Sequence, residues 1–138
     1  MNIKSIIFVG LLIGTTLLVA FHKKPFFEYP APKKGMIKVT ILYPNSEGKT
    51  FDMTYYAEKH MPMIATLLGD SLKSYEIDQG IAGRTPGDPI PYLAIGYLYF
   101  DRLSAFQTSF APHAEKIRGD VANYTNIQPV LQISEVIR

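Results

Sequence analysis

Residues 92–100 read YLAIGYLYF, and this stretch decides the fold. It holds no charge, and Leu93, Ile95, Tyr97 and Phe100 interleave with Ala94, Leu98 and Tyr99, so a strand here offers apolar side chains to both faces. An antiparallel sheet that is wet on one side alternates apolar with polar positions instead. One face is therefore expected to carry helices and the other to be covered as well. A second copy of the same sheet is the economical cover, which gives a twofold homodimer, the commonest oligomer.

Working outward, Gly83, Pro86, Gly87, Asp88 and Pro89 mark a loop before this strand, and residues 72–80 alternate Tyr75 and Ile77 among Lys73, Glu76 and Asp78. Further upstream, Met53, Tyr56, Ala57, His60, Ile64, Leu67 and Leu68 recur at three- and four-residue steps. That spacing predicts a helix ending near Gly69, with Thr50 as N-cap and Asp52 in the first turn. Residues 36–43 place Ile37, Val39, Ile41 and Tyr43 on one face of a first strand, before the turn residues Pro44, Asn45 and Gly48. Downstream, Asp101 is the expected N-cap of a second helix carrying Leu103, Phe106 and Phe110, with Ala114 and Ile117 continuing its stripe after Pro112. Residues 130–137 form a fourth strand. The order βαββαβ is the ferredoxin-like α+β arrangement, a four-stranded antiparallel sheet with two helices on one face.

The domain so defined, residues 36–138, follows two segments of different character. Residues 6–21 are apolar or small, as far as Phe21 and with Lys4 ahead of them. As a helix they rise about 24 Å, short of the roughly 30 Å hydrocarbon layer yet long for a signal peptide. Cleavage after Ala20 would put Leu18 where a small residue is preferred, which favours an uncleaved anchor over removal and export, the alternative. Residues 22–35 form a spacer, extended by Pro25, Pro30 and Pro32. The chain is thus expected at a membrane through residues 1–21. Its side stays open, since lysines after the apolar run favour a cytoplasmic domain and export requires the reverse.

The formal charge of +2 hides an asymmetry: the first 35 residues carry five lysines against Glu28, which leaves the remainder at about −2. A mildly acidic domain lacks the basic stripe that neutralises phosphates, so nucleic acid is not an expected partner. With no cysteine in the chain, disulfides, thiolate nucleophiles, iron–sulfur clusters and thiolate zinc sites are excluded.

Phe51, Asp52, Tyr55, Tyr56, His60 and Pro62 together resemble the helix-one signature of the EthD-domain family, within the dimeric α+β barrel superfamily. Gly80, the third strand ending at Phe100 and Asp101, Phe106, and the run Asp120, Asn123, Tyr124, Thr125 and Pro129 fall where that pattern expects them, so the resemblance spans essentially the whole domain. It implies a homodimeric barrel and chemistry on small organic molecules, commonly labelled oxidoreductase or reductase. The wider superfamily includes cofactor-independent monooxygenases, lactone isomerases and polyketide cyclases. The apolar head and proline spacer depart from the soluble members of the family.

Asp52, Tyr56 and His60 are four residues apart and so lie in one row of the first helix, with Tyr56 and His60 near enough for their polar ends to interact. Pro62 removes a hydrogen bond to the Glu58 carbonyl and is expected to bend or break the helix just after His60. An imidazole gives or takes a proton near neutral pH, so His60 is the candidate acid or base and Tyr56 the candidate orienting hydroxyl. The competing reading is a core histidine bonded to a carbonyl beside an ordinary core tyrosine. Asp52, Tyr75, Tyr97, Tyr99 and Phe106 are the expected pocket residues. Asp120 and Asn123 read as helix-end caps, with a place on the pocket rim as the alternative. His113 reads as structural or exposed. No glycine-rich turn joins strand to helix and no two histidines have ligand spacing, so neither a nucleotide cofactor nor a metal is expected.

Two functions follow from different classes. One is an EthD-like oxidoreductase, or a related cofactor-independent enzyme, acting on an apolar, oxygen-bearing organic compound. The other is a non-catalytic, membrane-tethered dimeric barrel that binds a small apolar ligand; a structural dimer with a filled core is a third possibility. Turnover separates the first two, and a ligand-sized cavity separates both from the third.

Overall fold

The computed structural model describes residues 31–138; the expected anchor or signal segment lies outside the described residues. Four strands, β1 (Ile37–Pro44), β2 (Ser74–Gln79), β3 (Tyr92–Phe100) and β4 (Val130–Glu135), form one sheet in the order β2-β3-β1-β4, with every neighbouring pair antiparallel. Two helical segments connect β1 to β2 and β3 to β4 and supply the helical half of one core, so the α+β ferredoxin-like reading holds. On their side of the sheet, Val39, Ile41, Tyr43, Leu98 and Phe100 pack against Tyr56, Met61, Ile64 and Leu68 of the first segment and Phe106 and Ile117 of the second.

The first segment is one run of three parts. Met53–Tyr55 is α-helical, Tyr56–His60 is a π turn, and Met61–Leu68 is α-helical again before Gly69, at φ +53°, ends it in a conformation that suits glycine. Its N-cap is Asp52 rather than Thr50: the carboxylate accepts from the Tyr55 backbone N–H at 2.9 Å. Nor does Pro62 break the helix. The π turn, in which the Met61 N–H bonds the Tyr56 carbonyl, restarts the α ladder at His60, so Pro62 falls in the first turn of the new stretch, where no N–H partner is required.

The second segment runs as Leu103–Phe110, a 3₁₀ turn at Ala111–His113 around Pro112, Ala114–Asp120 and a closing 3₁₀ turn, Val121–Asn123. Arg102, not Asp101, is its N-cap residue, and Asp101 instead faces Lys73 at 3.3 Å. On the opposite face of the sheet β3 presents Ile95, Tyr97 and Tyr99 beside Leu42 of β1, flanked by Glu76 and Asp78 of β2 and by Gln132 and Ser134 of β4. Lys38 and Thr40 of β1 and Val130 of β4 share this face, with Lys38 Nζ 5.6 Å from the centre of the Tyr97 ring, so its apolar side chains centre on β3 among polar neighbours. Tyr99 donates to the Glu76 carboxylate at 2.9 Å, and burial is the first cause raising the Tyr97 hydroxyl to about 12.

Candidate functional site

The start of the first helical segment is stitched to the end of the second. The Asp52 N–H bonds the Tyr124 carbonyl at 2.7 Å, Phe51 and Thr125 form an isolated antiparallel bridge, and the Thr125 hydroxyl donates to the Thr50 carbonyl at 2.7 Å. These bonds bring Asp120 and Tyr124, four residues apart on one helical face, against His60. Asp120 Oδ2 lies 2.8 Å from His60 Nδ1, and the Tyr124 hydroxyl lies 3.2 Å from His60 Nε2 and 2.7 Å from the Tyr43 hydroxyl.

The charges fix the direction of this chain. Asp120 ends the Ala114–Asp120 helix, where the macrodipole disfavours an anion. Burial pushes its carboxyl up, but hydrogen bonds from His60, Asn123 and Tyr55 outweigh that and hold it below its ordinary value. It therefore caps nothing; Asn123 and the Tyr55 hydroxyl both donate to Oδ1, at 2.8 and 3.0 Å. His60 is only 3% exposed, and burial lowers its pKa against the opposing pull of Asp120. At neutral pH the pair is a carboxylate beside a neutral imidazole. A carboxylate only accepts, so Nδ1 carries the proton, Nε2 receives the Tyr124 hydroxyl, and Tyr124 in turn receives Tyr43. Burial raises both phenols and keeps them protonated.

His60 also borders a cavity of about 180 Å³ between sheet and helices. Tyr43, Tyr56 and His60, each nearly inaccessible, share its walls with Ile41, Ile64, Leu98, Phe106 and Phe110, while the exposed Arg118, Gln128 and Leu131 also line it and so mark its opening. Tyr56 meets His60 by ring stacking, with centroids 5.5 Å apart and planes 20° from parallel, and not through its polar end. Its buried hydroxyl makes no well-formed hydrogen bond among the described residues, although the Tyr43 hydroxyl is near enough to raise its pKa, and it fills the space that a Cβ on Gly96 would occupy.

Of the other expected pocket residues, Phe106 lines this cavity. Tyr75 packs at the core edge on β2, Tyr97 and Tyr99 lie on the far face of the sheet, and Asp52 borders a separate open groove with Thr50 and Asn126. Sequence alone does not single out Tyr43 or Tyr124, nor the pairing of Asp120 with His60. The available signal is that Asp120 and Tyr124 repeat the four-residue spacing of Tyr56 and His60 on the other helical segment. Among the described residues no group of three or more His, Asp or Glu side chains could hold a metal ion.

Sheet, helices and a walled cavity bordered by a buried histidine, itself paired with a half-buried aspartate, define a small ferredoxin-like α+β protein with a candidate proton-transfer site. The EthD-domain family model matches residues 47–128, and the chain belongs to the EthD-domain family. It is similar to an EthD-like protein from Ralstonia eutropha JMP134, with 42% identity, a TM-score of 0.73, and coverage of 77% of this chain and 96% of that one. An ethyl tert-butyl ether D (EthD) family protein from Bacillus halodurans C-125 shares the fold at 19% identity and a TM-score of 0.57, over 74% of this chain and 99% of that one. No curated protein matches the chain.

Proposed function

We propose that this EthD-family protein is a small-molecule enzyme of oxidoreductase type, or a related cofactor-independent enzyme, that acts on an apolar, oxygen-bearing organic compound bound between sheet and helices. The observation that carries the reading is the 2.8 Å His60–Asp120 pair at the wall of a cavity with mainly apolar walls. Neutral His60 is a ready base. A substrate hydroxyl that hands its proton to Tyr43 passes it through Tyr124 to Nε2, and the resulting imidazolium is stabilised by Asp120. Tyr43 is the group that meets the substrate in this scheme, and Asp120 is a positioning residue.

A specific observation favours the binding-module alternative: both nitrogens of His60 are already engaged, by Asp120 and Tyr124, so neither is free for a ligand. The two readings part on turnover. Purified protein is offered a panel of phenols, lactones and ethers, and His60→Gln is expected to lower any activity found by about 10² or more. Tyr43→Phe should fall comparably, and Tyr56→Phe less. A folded His60→Gln protein with full activity refutes the proton-transfer role; ligand binding with no turnover by the wild type leaves the binding module.

Self-association through the far face of the sheet is part of the same proposal, supported by the concentration of Leu42, Ile95, Tyr97 and Tyr99 there. So is attachment to a membrane through residues 1–21, with export after cleavage as its alternative; this rests on sequence alone. Among the described residues no helix is long and apolar enough to cross a membrane.

A further inference from the structure

We propose that the cavity is a site for a single-ring organic acid, with the ring between the sheet and helices and the carboxylate on Arg118 at the opening. This rests on the reading of the cavity as the ligand site and adds the class of ligand. The first observation is size. A cavity of about 180 Å³ is close to the roughly 150 Å³ that holds a benzene molecule, so one ring with small substituents fits and a fused pair does not.

The second is the order of polarity. The inner walls are apolar, with Ile41, Leu98 and Phe106 among them, and the only polar side chains there among the described residues are neutral at pH 7: a histidine and two tyrosines. A buried anion would meet no positive charge at that end, and its desolvation would go uncompensated.

The third is Arg118 itself. It is exposed, lines the cavity and makes no ion pair among the described residues. Its planar fork suits a carboxylate in two-point contact, and at the opening that carboxylate keeps part of its hydration. The far end of the ring then faces Tyr43, Tyr56 and His60.

The test uses the full-length chain with three probes, benzoate, benzamide and 1-naphthoate, followed by titration calorimetry and thermal shift. Benzoate is expected to bind about tenfold more tightly than the isosteric neutral amide, the scale of one partly solvated charge-assisted pair, with the difference shrinking as salt rises. Arg118→Gln should erase the preference for benzoate with a much smaller effect on benzamide, and Arg118→Lys should keep only part of the preference. Naphthoate should not bind. Equal affinity for benzoate and benzamide, an unaltered preference in Arg118→Gln, naphthoate binding as well as benzoate, or no binding of benzoate each overturns the proposal. Asp120→Asn, at a residue that does not line the cavity, separates it from the catalytic reading, because benzoate affinity should survive there even where turnover is lost.

Discussion

Replacing Gly96 by alanine tests the packing beneath the site. A methyl at this position meets the Tyr56 hydroxyl at a distance that no real contact tolerates, while the next atoms, Tyr56 Cζ at 3.4 Å and Ile41 Cδ1 at 3.6 Å, are ordinary neighbours. The clash therefore belongs to one oxygen. That oxygen cannot swing aside, since the Tyr56 ring is wedged among Phe51, Tyr43, Tyr124 and His60 at centroid distances of 5.1 to 5.5 Å. Nor can the glycine retreat, because β3 is hydrogen-bonded on both sides, to β1 and β2. Overpacking of this kind costs about 1–3 kcal/mol, against the roughly 0.5–1 kcal/mol that alanine ordinarily gains over glycine inside a strand. Tyr56→Phe alone should be close to neutral or stabilising, since it removes a buried hydroxyl that makes no well-formed hydrogen bond. Combined with Gly96→Ala it should recover most of the loss, a coupling of about 1–3 kcal/mol. Urea unfolding of the four proteins at pH 7 measures this, provided that the denaturant slope is unchanged. Additive effects, or a Gly96→Ala protein as stable as the wild type, would show that the hydroxyl is not where the steric argument needs it.

Stability should fall as pH drops below about 6.5, the ordinary value for histidine, because burial depresses His60 in the folded state and the unfolded chain takes up the proton first. The slope is at most about 1.4 kcal/mol per pH unit for one proton, and denaturant titrations at pH 5 to 7 should show it flattened in His60→Gln. Asp120→Asn removes the charge that orients the imidazole and should cost about 1–3 kcal/mol together with activity, whereas Tyr55→Phe, losing one of several donors, should cost clearly less; parity between the two argues against Asp120 as the hub. Residues 36–138 should behave as a homodimer in light scattering, and a monodisperse monomer at micromolar concentration removes the covered-sheet argument. The full-length chain should sediment with membranes at its complete mass, while a soluble product beginning near Phe21 indicates a cleaved signal.

The fold was legible because period-2 and period-3.6 patterns are local. Val39, Ile41 and Tyr43 announce a strand face and Tyr56, His60 and Ile64 a helix stripe without reference to anything distant. The caps were harder. Thr50 and Asp52 are both good N-cap residues, and what selects Asp52 is a backbone bond from its own N–H to Tyr124, 72 residues away. The π turn is also hidden, since nothing in YAEKH specifies an extra residue per turn, and Pro62 alone reads as a break. In the site, His60 stood out as a polar residue in an apolar stripe, but its partners come from a helix end that sequence treats as capping. Asp120 looks like any acid at a helix terminus until the first helical segment is laid beside it. Tyr97 and Tyr99 were drawn toward a pocket by composition, and the parity of β3 turns them the other way.

The rings gathered around His60 also determine how this protein can be observed. The chain has nine tyrosines and no tryptophan, and Tyr43, Tyr55, Tyr56 and Tyr124 lie within one cluster around the imidazole. Near-ultraviolet signals therefore come from tyrosine and phenylalanine alone, and the packed rings of this cluster are among their sources. In an alkaline absorbance titration, Tyr43, Tyr56 and Tyr124 should ionise late, because burial raises each well above an ordinary phenol, as it also raises Tyr99 on the far face of the sheet. Loss of these three from the late-ionising fraction is a spectroscopic marker that the histidine site has come apart, with no substrate and no added label.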